Sequence, residues 1–143
     1  MSDLHIEEFF RDAATTLVTL FNAFPRPVTL YVEDICGPDE PDEYGVHSHR
    51  YMGCFGAMVW LGEEQALRYQ ETIKQEAIDQ AVLTGRCFTA LLKPVPDSLD
   101  TDLPIAVRDS QASVAFQLQS ALKSRDNNRV RSLMSALLDS LSS

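Results

Sequence analysis

The sequence predicts an α+β protein that is mostly helical. Apolar residues return every three or four positions over residues 4–24 and again beyond residue 105, which predicts helices at both ends of the chain. Between these ends, residues 53–93 change from a helical period to two short β-type runs and back to a helical period. A helix, a β-hairpin and a second helix therefore follow one another in the middle of the chain.

The N-terminal segment predicts one long amphipathic helix over residues 4–24. Asp3 is expected to cap its first turn, and Pro25 and Pro27 prevent its continuation. Its apolar side consists of Ile6, Phe9, Phe10, Ala13, Leu17, Leu20, Phe21 and Phe24.

A short strand and a short helix are predicted between the long helix and an acidic loop. The strand covers residues 26–30 and the helix covers residues 31–36, which Gly37 and Pro38 close. Residues 38–45 contain four acids, two prolines and a glycine, so this segment is expected to be a loop.

The middle of the chain supplies the β-hairpin. A helix over residues 48–61 is followed by the acids Glu63 and Glu64. Two β-type runs, one beginning at Leu67 and the other ending at Leu83, then enclose a polar turn at residues 74–76. Thr84 is expected to cap the helix after the hairpin, which Pro94 and Pro96 end.

The C-terminal third predicts a helical extension. We divide the chain into a domain at residues 1–93, a linker at 94–104 and an extension at 105–143. The extension is expected to be a hairpin of two helices, broken at the polar residues 125–128. Its apolar faces require a cover, either the first domain or a second copy of the chain, and we expect a homodimer through the added helices.

Charge and composition restrict the function. The net charge is −9, and the first 47 residues carry ten acids against Arg11 and Arg26. Such acidity disfavours contact with DNA phosphates. We find no apolar run long enough to span a membrane and no signal peptide, and three cysteines suggest free thiols in the cytoplasm.

Residues 26–92 resemble the winged helix-turn-helix domains of bacterial transcriptional regulators. Two segments carry the resemblance: Trp60-Leu61-Gly62-Glu63-Glu64-Gln65-Ala66-Leu67-Arg68, and Leu83-Thr84-Gly85-Arg86-Cys87-Phe88. Gln65 and Cys87 depart from the family pattern, which has glycine at both positions, so the backbone there is expected to differ or to be strained.

The resemblance implies that the helix before the wing is the interaction element, with two alternatives for its partner. Because this helix is apolar nearly all round, we favour a regulatory or adaptor protein that contacts another protein. The proposed interaction residues are His49, Arg50, Met52, Gly53, Gly56 and Met58. The alternative is a transcriptional regulator that binds duplex DNA, and its proposed contacts are Ser48, His49, Arg50, Arg68 and Lys74.

Candidate catalytic and metal sites are weak. His47 and His49 lie near four acids and Cys54, but zinc-type ligand spacing is missing. Cys36, Cys54 and Cys87 are embedded in apolar segments without a sequence pattern for an activating base. We therefore expect a non-enzyme without a cofactor or metal.

The C-terminal extension contains one basic cluster. Its members are Lys123, Arg125, Arg129 and Arg131. Two interpretations remain, a solvated helix end or docking onto the acidic N-terminal third.

Overall fold

A computed structural model describes residues 4–95 and 104–142, and within these ranges the chain forms seven helices and four strands. The helices are α1 (Leu4–Ala23), α2 (Val32–Cys36), α3 (His49–Glu63), α4 (Gly85–Leu92), α5 (Ile105–Ala112), α6 (Val114–Lys123) and α7 (Asn127–Ser142). The strands are β1 (Val28–Tyr31), β2 (Leu67–Arg68), β3 (Glu71–Ile73) and β4 (Ala77–Leu83). The α+β class with mostly helical content is confirmed. Asp3, the predicted cap, and most of the predicted linker lie outside the described residues.

The sheet is small and antiparallel, and β4 is its central strand. It pairs with β1 on one side and with β2 and β3 on the other. Ile78 of β4, for example, lies between Leu30 of β1 and Thr72 of β3. The predicted β-hairpin is therefore present, although its first strand is divided into β2 and β3.

Helix α1 is the centre of the fold. It packs against α3, α6, α7 and β4, so several of its sides are covered. Its buried residues are Asp12, Ala13, Ala14, Thr16, Leu17, Val18 and Leu20. The sequence indicated a single apolar side, whereas burial extends to Asp12 and Thr16 because helices pack on α1 from both halves of the chain. Thr15 is half-buried and Thr19 is exposed.

The C-terminal helices share the core of the first half. Leu118 of α6 and Met134 of α7 are fully buried together with Leu17 of α1. The buried faces of α6 and α7 are thus covered within the chain, whereas Ile105 and Val107 of α5 and Phe116 of α6 remain exposed. The expected homodimer through the added helices stays a prediction.

The predicted C-terminal hairpin of two helices is wrong, because three helices form there. Ser113 separates α5 from α6, and its hydroxyl accepts a hydrogen bond from the backbone N–H of Phe116. Backbone hydrogen bonds from Val95 to Ala112 and from Val114 to Lys93 attach this break to the end of α4. The contacts that bend the chain at Ser113 are therefore tertiary as well as local.

The second break, predicted at residues 125–128, is confirmed, and α7 begins within it. Arg125 has a φ of +57°, which is left-handed backbone that ends α6. The N–H of Asp126 bonds to the carbonyl of Ala121, and the Asp126 carboxylate accepts the N–H of Arg129 in the first turn of α7.

Gln65 adopts the conformation that glycine favours, as expected from its departure from the family pattern. Its φ is +65°, directly after α3. The N–H of Gln65 bonds to the carbonyl of Gly62, and the N–H of Ala66 bonds to that of Leu61, which closes the helix. Cys87, the other departure, lies inside α4, where Thr84 caps the helix through the N–H of Cys87, and requires no unusual backbone.

We predict that Gln65→Gly raises the free energy of unfolding by about 0.5–1 kcal/mol, because relief of left-handed strain exceeds the entropy that glycine adds to the unfolded chain. Urea unfolding provides the measurement. Gln70→Gly is the matched control, since Gln70 is exposed and has no positive φ, and it should destabilise the fold. A Gln65→Gly variant no more stable than the control would contradict this explanation.

Candidate interaction surface on helix α3

Helix α3 has a buried side and an exposed side. The buried side consists of Tyr51, Cys54, Ala57, Met58 and Leu61. The exposed side, which we call the α3 face, consists of His49, Gly53, Gly56, Trp60 and Glu63. These residues follow one another at intervals of three and four, so they form one stripe along the helix.

The predicted interaction residues divide between these two sides. His49, Gly53 and Gly56 lie on the α3 face, and Met52 and Arg50 are half-buried. The prediction is wrong for Met58, because its side chain is fully buried in the core.

No other part of the described chain packs closely against the two glycines of the α3 face. A Cβ atom added to Gly53 or Gly56 would meet no atom within 4 Å. Trp60 lies further along the stripe, 37% exposed, and its ring meets the ring of Phe9 edge to face at 5.4 Å. The α3 face therefore offers a flat stretch beside one large aromatic ring.

Arg50 connects α3 to α1 through two carboxylates. Its Nη1 and Nη2 atoms donate to the two oxygens of Asp12 at 2.6 and 2.8 Å, and its Nε lies 2.6 Å from Glu8. Asp12 is only 3% exposed, so its charge needs this partner. The hydrogen bonds to Asp12 raise the pKa of Arg50 above its ordinary value, and the guanidinium stays charged.

A cavity of about 180 Å³ lies beside this ion-pair network, between α1 and α3. It is lined by His5, Glu8, Phe9, Asp12, His49, Arg50 and Gly53. Over the part of the chain that the structure describes, no group of three His, Cys, Asp or Glu side chains could hold a metal ion. His47, paired with His49 in the sequence hypothesis, lies outside this lining.

His47 belongs instead to the start of α3. Its Nδ1 lies 3.0 Å from Asp39, and its ring stacks on Tyr51 at 3.9 Å. Asp39 also accepts the backbone N–H of Ser48, whose own hydroxyl caps α3 by accepting the N–H of Tyr51. Hydrogen bonding by Ser48, with a smaller contribution from His47, holds the pKa of Asp39 below its usual value.

The proposed DNA contacts are distributed over two elements. Ser48, His49 and Arg50 lie at the start of α3, whereas Arg68 and Lys74 lie on the hairpin, where both are exposed. Ser48 caps its helix and Arg50 is held by Glu8 and Asp12. Ser48 and Arg50 are therefore already engaged inside the chain, whereas His49 is exposed.

The three thiols are poor nucleophiles. Burial raises the pKa of Cys87 to about 12 and also raises the pKa values of Cys54 and Cys36 above that of an ordinary thiol. Thiolate is the reactive form of cysteine, so these shifts disfavour covalent catalysis.

The basic C-terminal cluster meets α1 through an aromatic ring. The guanidinium of Arg131 lies 5.6 Å from the centre of the Phe10 ring. A second contact joins the same two helices, because Arg11 of α1 donates to the side chain of Asn127 of α7 at 2.9 Å. Lys123 and Arg125 are exposed. Arg131 thus contacts the N-terminal helix through an aromatic ring, and Lys123 and Arg125 of the turn are solvated. Docking of the cluster onto the acidic N-terminal third stays a prediction.

No protein-family model, curated protein or solved structure matches this chain. Of the helices in the described ranges, none combines the length and apolar character that crossing a bilayer requires. The function must therefore be argued from the chain itself.

The sequence interpretation missed Glu8 and Asp12 as partners of Arg50. Their spacing of four residues places both carboxylates on one side of α1, which was the available signal. Nothing in the sequence indicated that this side faces the start of α3.

We predict that Arg50→Ala lowers the free energy of unfolding by about 2–4 kcal/mol, because it leaves the Asp12 carboxylate buried and unpaired. Denaturant unfolding should show that Arg68→Ala, an exposed control, changes stability by less than about 0.5 kcal/mol. The double variant Asp12→Leu with Arg50→Met should recover part of the loss. Equal effects of Arg50→Ala and Arg68→Ala would show that the network is not structural.

The hydrogen bond from Ser48 to the Asp39 carboxylate predicts that the loop before α3 is sensitive to acid. Because its folded pKa is depressed, Asp39 contributes its full stabilisation above the ordinary value of 3.8, and this contribution is lost as the pH falls through the lower folded pKa. Asp39→Asn should therefore destabilise the protein at pH 6, and this destabilisation should shrink progressively as the pH falls below 3.8, as measured by urea unfolding. Glu40→Gln, an exposed neighbour, should have no effect at pH 6. A pH-independent effect of Asp39→Asn would contradict the assignment.

Proposed function

We propose that this protein is a non-enzymatic regulatory or adaptor protein of the winged-helix type that acts by binding another protein through the α3 face. The observation that carries the proposal is the composition of that face. It presents two glycines with open space above them and an exposed tryptophan, without a lysine or arginine side chain. Aromatic residues are enriched at protein interfaces, and charged residues are depleted at interface centres.

The order of elements supports the winged-helix part of the proposal. Helix α1 is followed by a strand, two helices and a hairpin, and β1 pairs with the second strand of that hairpin. This is the order that the resemblance in residues 26–92 implies. In DNA-binding helix-turn-helix proteins the corresponding helix contacts the partner, which is DNA. We propose that α3 keeps this role as the contact helix, with a protein as the partner.

The charge distribution supports a protein partner over DNA. A DNA-binding helix offers basic groups to phosphates and base edges. Arg50, the basic residue of α3, is directed to Glu8 and Asp12. The raised pKa values of the thiols support the absence of covalent catalysis.

The proposal predicts opposite effects of the same substitutions on stability and on binding. Gly53→Ala and Gly56→Ala should each raise the free energy of unfolding by about 0.5–1 kcal/mol, since alanine favours the helix and the added Cβ meets nothing. The added methyl groups should weaken partner binding. Partner binding is measured by photo-crosslinking in the organism's own cells, with benzoylphenylalanine in place of Trp60, and the double glycine variant should lower the yield of the crosslinked product.

Two controls make this experiment specific. Benzoylphenylalanine at Ser135, an exposed position of α7, should not capture the same protein. Gly62→Ala should not stabilise the chain, because its Cβ would lie 2.8 Å from the Tyr69 ring. The mass of the product distinguishes a second copy from another protein. Crosslinking at Ser135 but not at position 60 would contradict the proposal.

A further inference from the structure

The end of the α3 face carries two acids at an unfavourable place. Glu63 and Glu64 follow Trp60 by three and four residues, so they continue the same stripe. Both are exposed and neither forms a salt bridge within residues 4–95 and 104–142. The helix dipole disfavours carboxylates at a helix C-terminus, and the last turn of α3 has no basic residue to compensate. Within the described residues, neither an ion pair nor a basic residue of the last turn compensates these charges.

The start of the α3 face is also acidic. Glu8 and Asp12 border it next to Gly53, and Arg50 supplies a single positive charge against these two carboxylates. The guanidinium of Arg131 on α7 lies over the Phe10 ring. The α3 face therefore has an uncharged middle and a negative charge at each end.

We infer that the occupant of the α3 face is a basic amphipathic helix, a conclusion that rests on the proposed function. The stripe from His49 to Glu63 spans roughly 20 Å, about four helical turns, which one partner helix can cover. Glycines at positions 53 and 56 leave room for the ridge of side chains of a crossing helix. Its apolar residues would pack on Trp60, and its cations would meet the acids at either end.

The same charges argue against a second copy of the chain on this face. In a two-fold dimer each α3 face would meet another α3 face. Glu63 and Glu64 would then approach the partner's identical acids or the acidic surface of α1. Like charges brought together at an interface weaken association, so a symmetric contact here is disfavoured.

Trp60 is the one tryptophan of the chain and provides the test. An 18-residue helical peptide with a leucine and alanine face and lysines at both ends is titrated into the protein. We expect a blue shift of Trp60 emission as the indole leaves water, and at least about tenfold weaker binding of the same peptide with glutamates in place of the lysines. The absence of binding by the lysine peptide, or equal binding of both peptides, would overturn the inference.

A matched pair of double variants distinguishes peptide binding by the acids of the α3 face from attraction by the negative charge of the whole protein. Glu63→Gln with Glu64→Gln removes the two acids of the face, whereas Glu71→Gln with Glu76→Gln removes two exposed acids of the hairpin. The first variant should fold at least as stably as the natural chain, given the dipole, and should bind the lysine peptide about two- to tenfold more weakly. The second should bind it nearly as well as the natural chain does. Equal losses would overturn the inference, while a crosslink at position 60 would still support the proposed function.

Discussion

The buried carboxylate of Asp12 is the constraint on which the arrangement of this molecule depends. Helix α1 is enclosed by elements from both halves of the chain, so a charge at this position can be tolerated only with a partner. Arg50 provides that partner from the first turn of α3, with both of its terminal nitrogens on the two carboxylate oxygens. The pair thereby fixes the start of α3 against α1, and the rotation of α3 determines which of its residues reach solvent.

That orientation has a direct consequence for binding. It turns Met58 and Leu61 into the core and leaves Gly53, Gly56 and Trp60 outside. The same orientation binds Arg50 to Glu8 and Asp12. A nucleic-acid-binding helix would instead present this arginine to a phosphate group. One ion pair therefore both orders the fold and makes the exposed side of α3 resemble a protein interface, with small and aromatic residues at its centre and charge only at its ends.

Local signals in the sequence were sufficient for much of the fold. The helical period over residues 4–24, the cap at Thr84 and the left-handed residue Gln65 all depend on neighbouring residues, and each is present. The division at Ser113 was missed because backbone bonds to residues of the α4 end help to define it. The burial of Met58 and the partners of Arg50 depend on how α3 is rotated against α1. Spacing along one helix does not contain that information, so the candidate surface was predicted only in part.

We propose that the exposed side of α3 serves protein binding and not DNA binding. The most direct measurement is the fluorescence anisotropy of labelled mixed-sequence duplex DNA, titrated with the protein at low salt and again near physiological salt. We expect no change in anisotropy at either salt concentration, because Arg50 is bound to Glu8 and Asp12. Binding at low salt that weakens steeply as salt is added would demonstrate phosphate contacts and contradict the proposed protein-binding role.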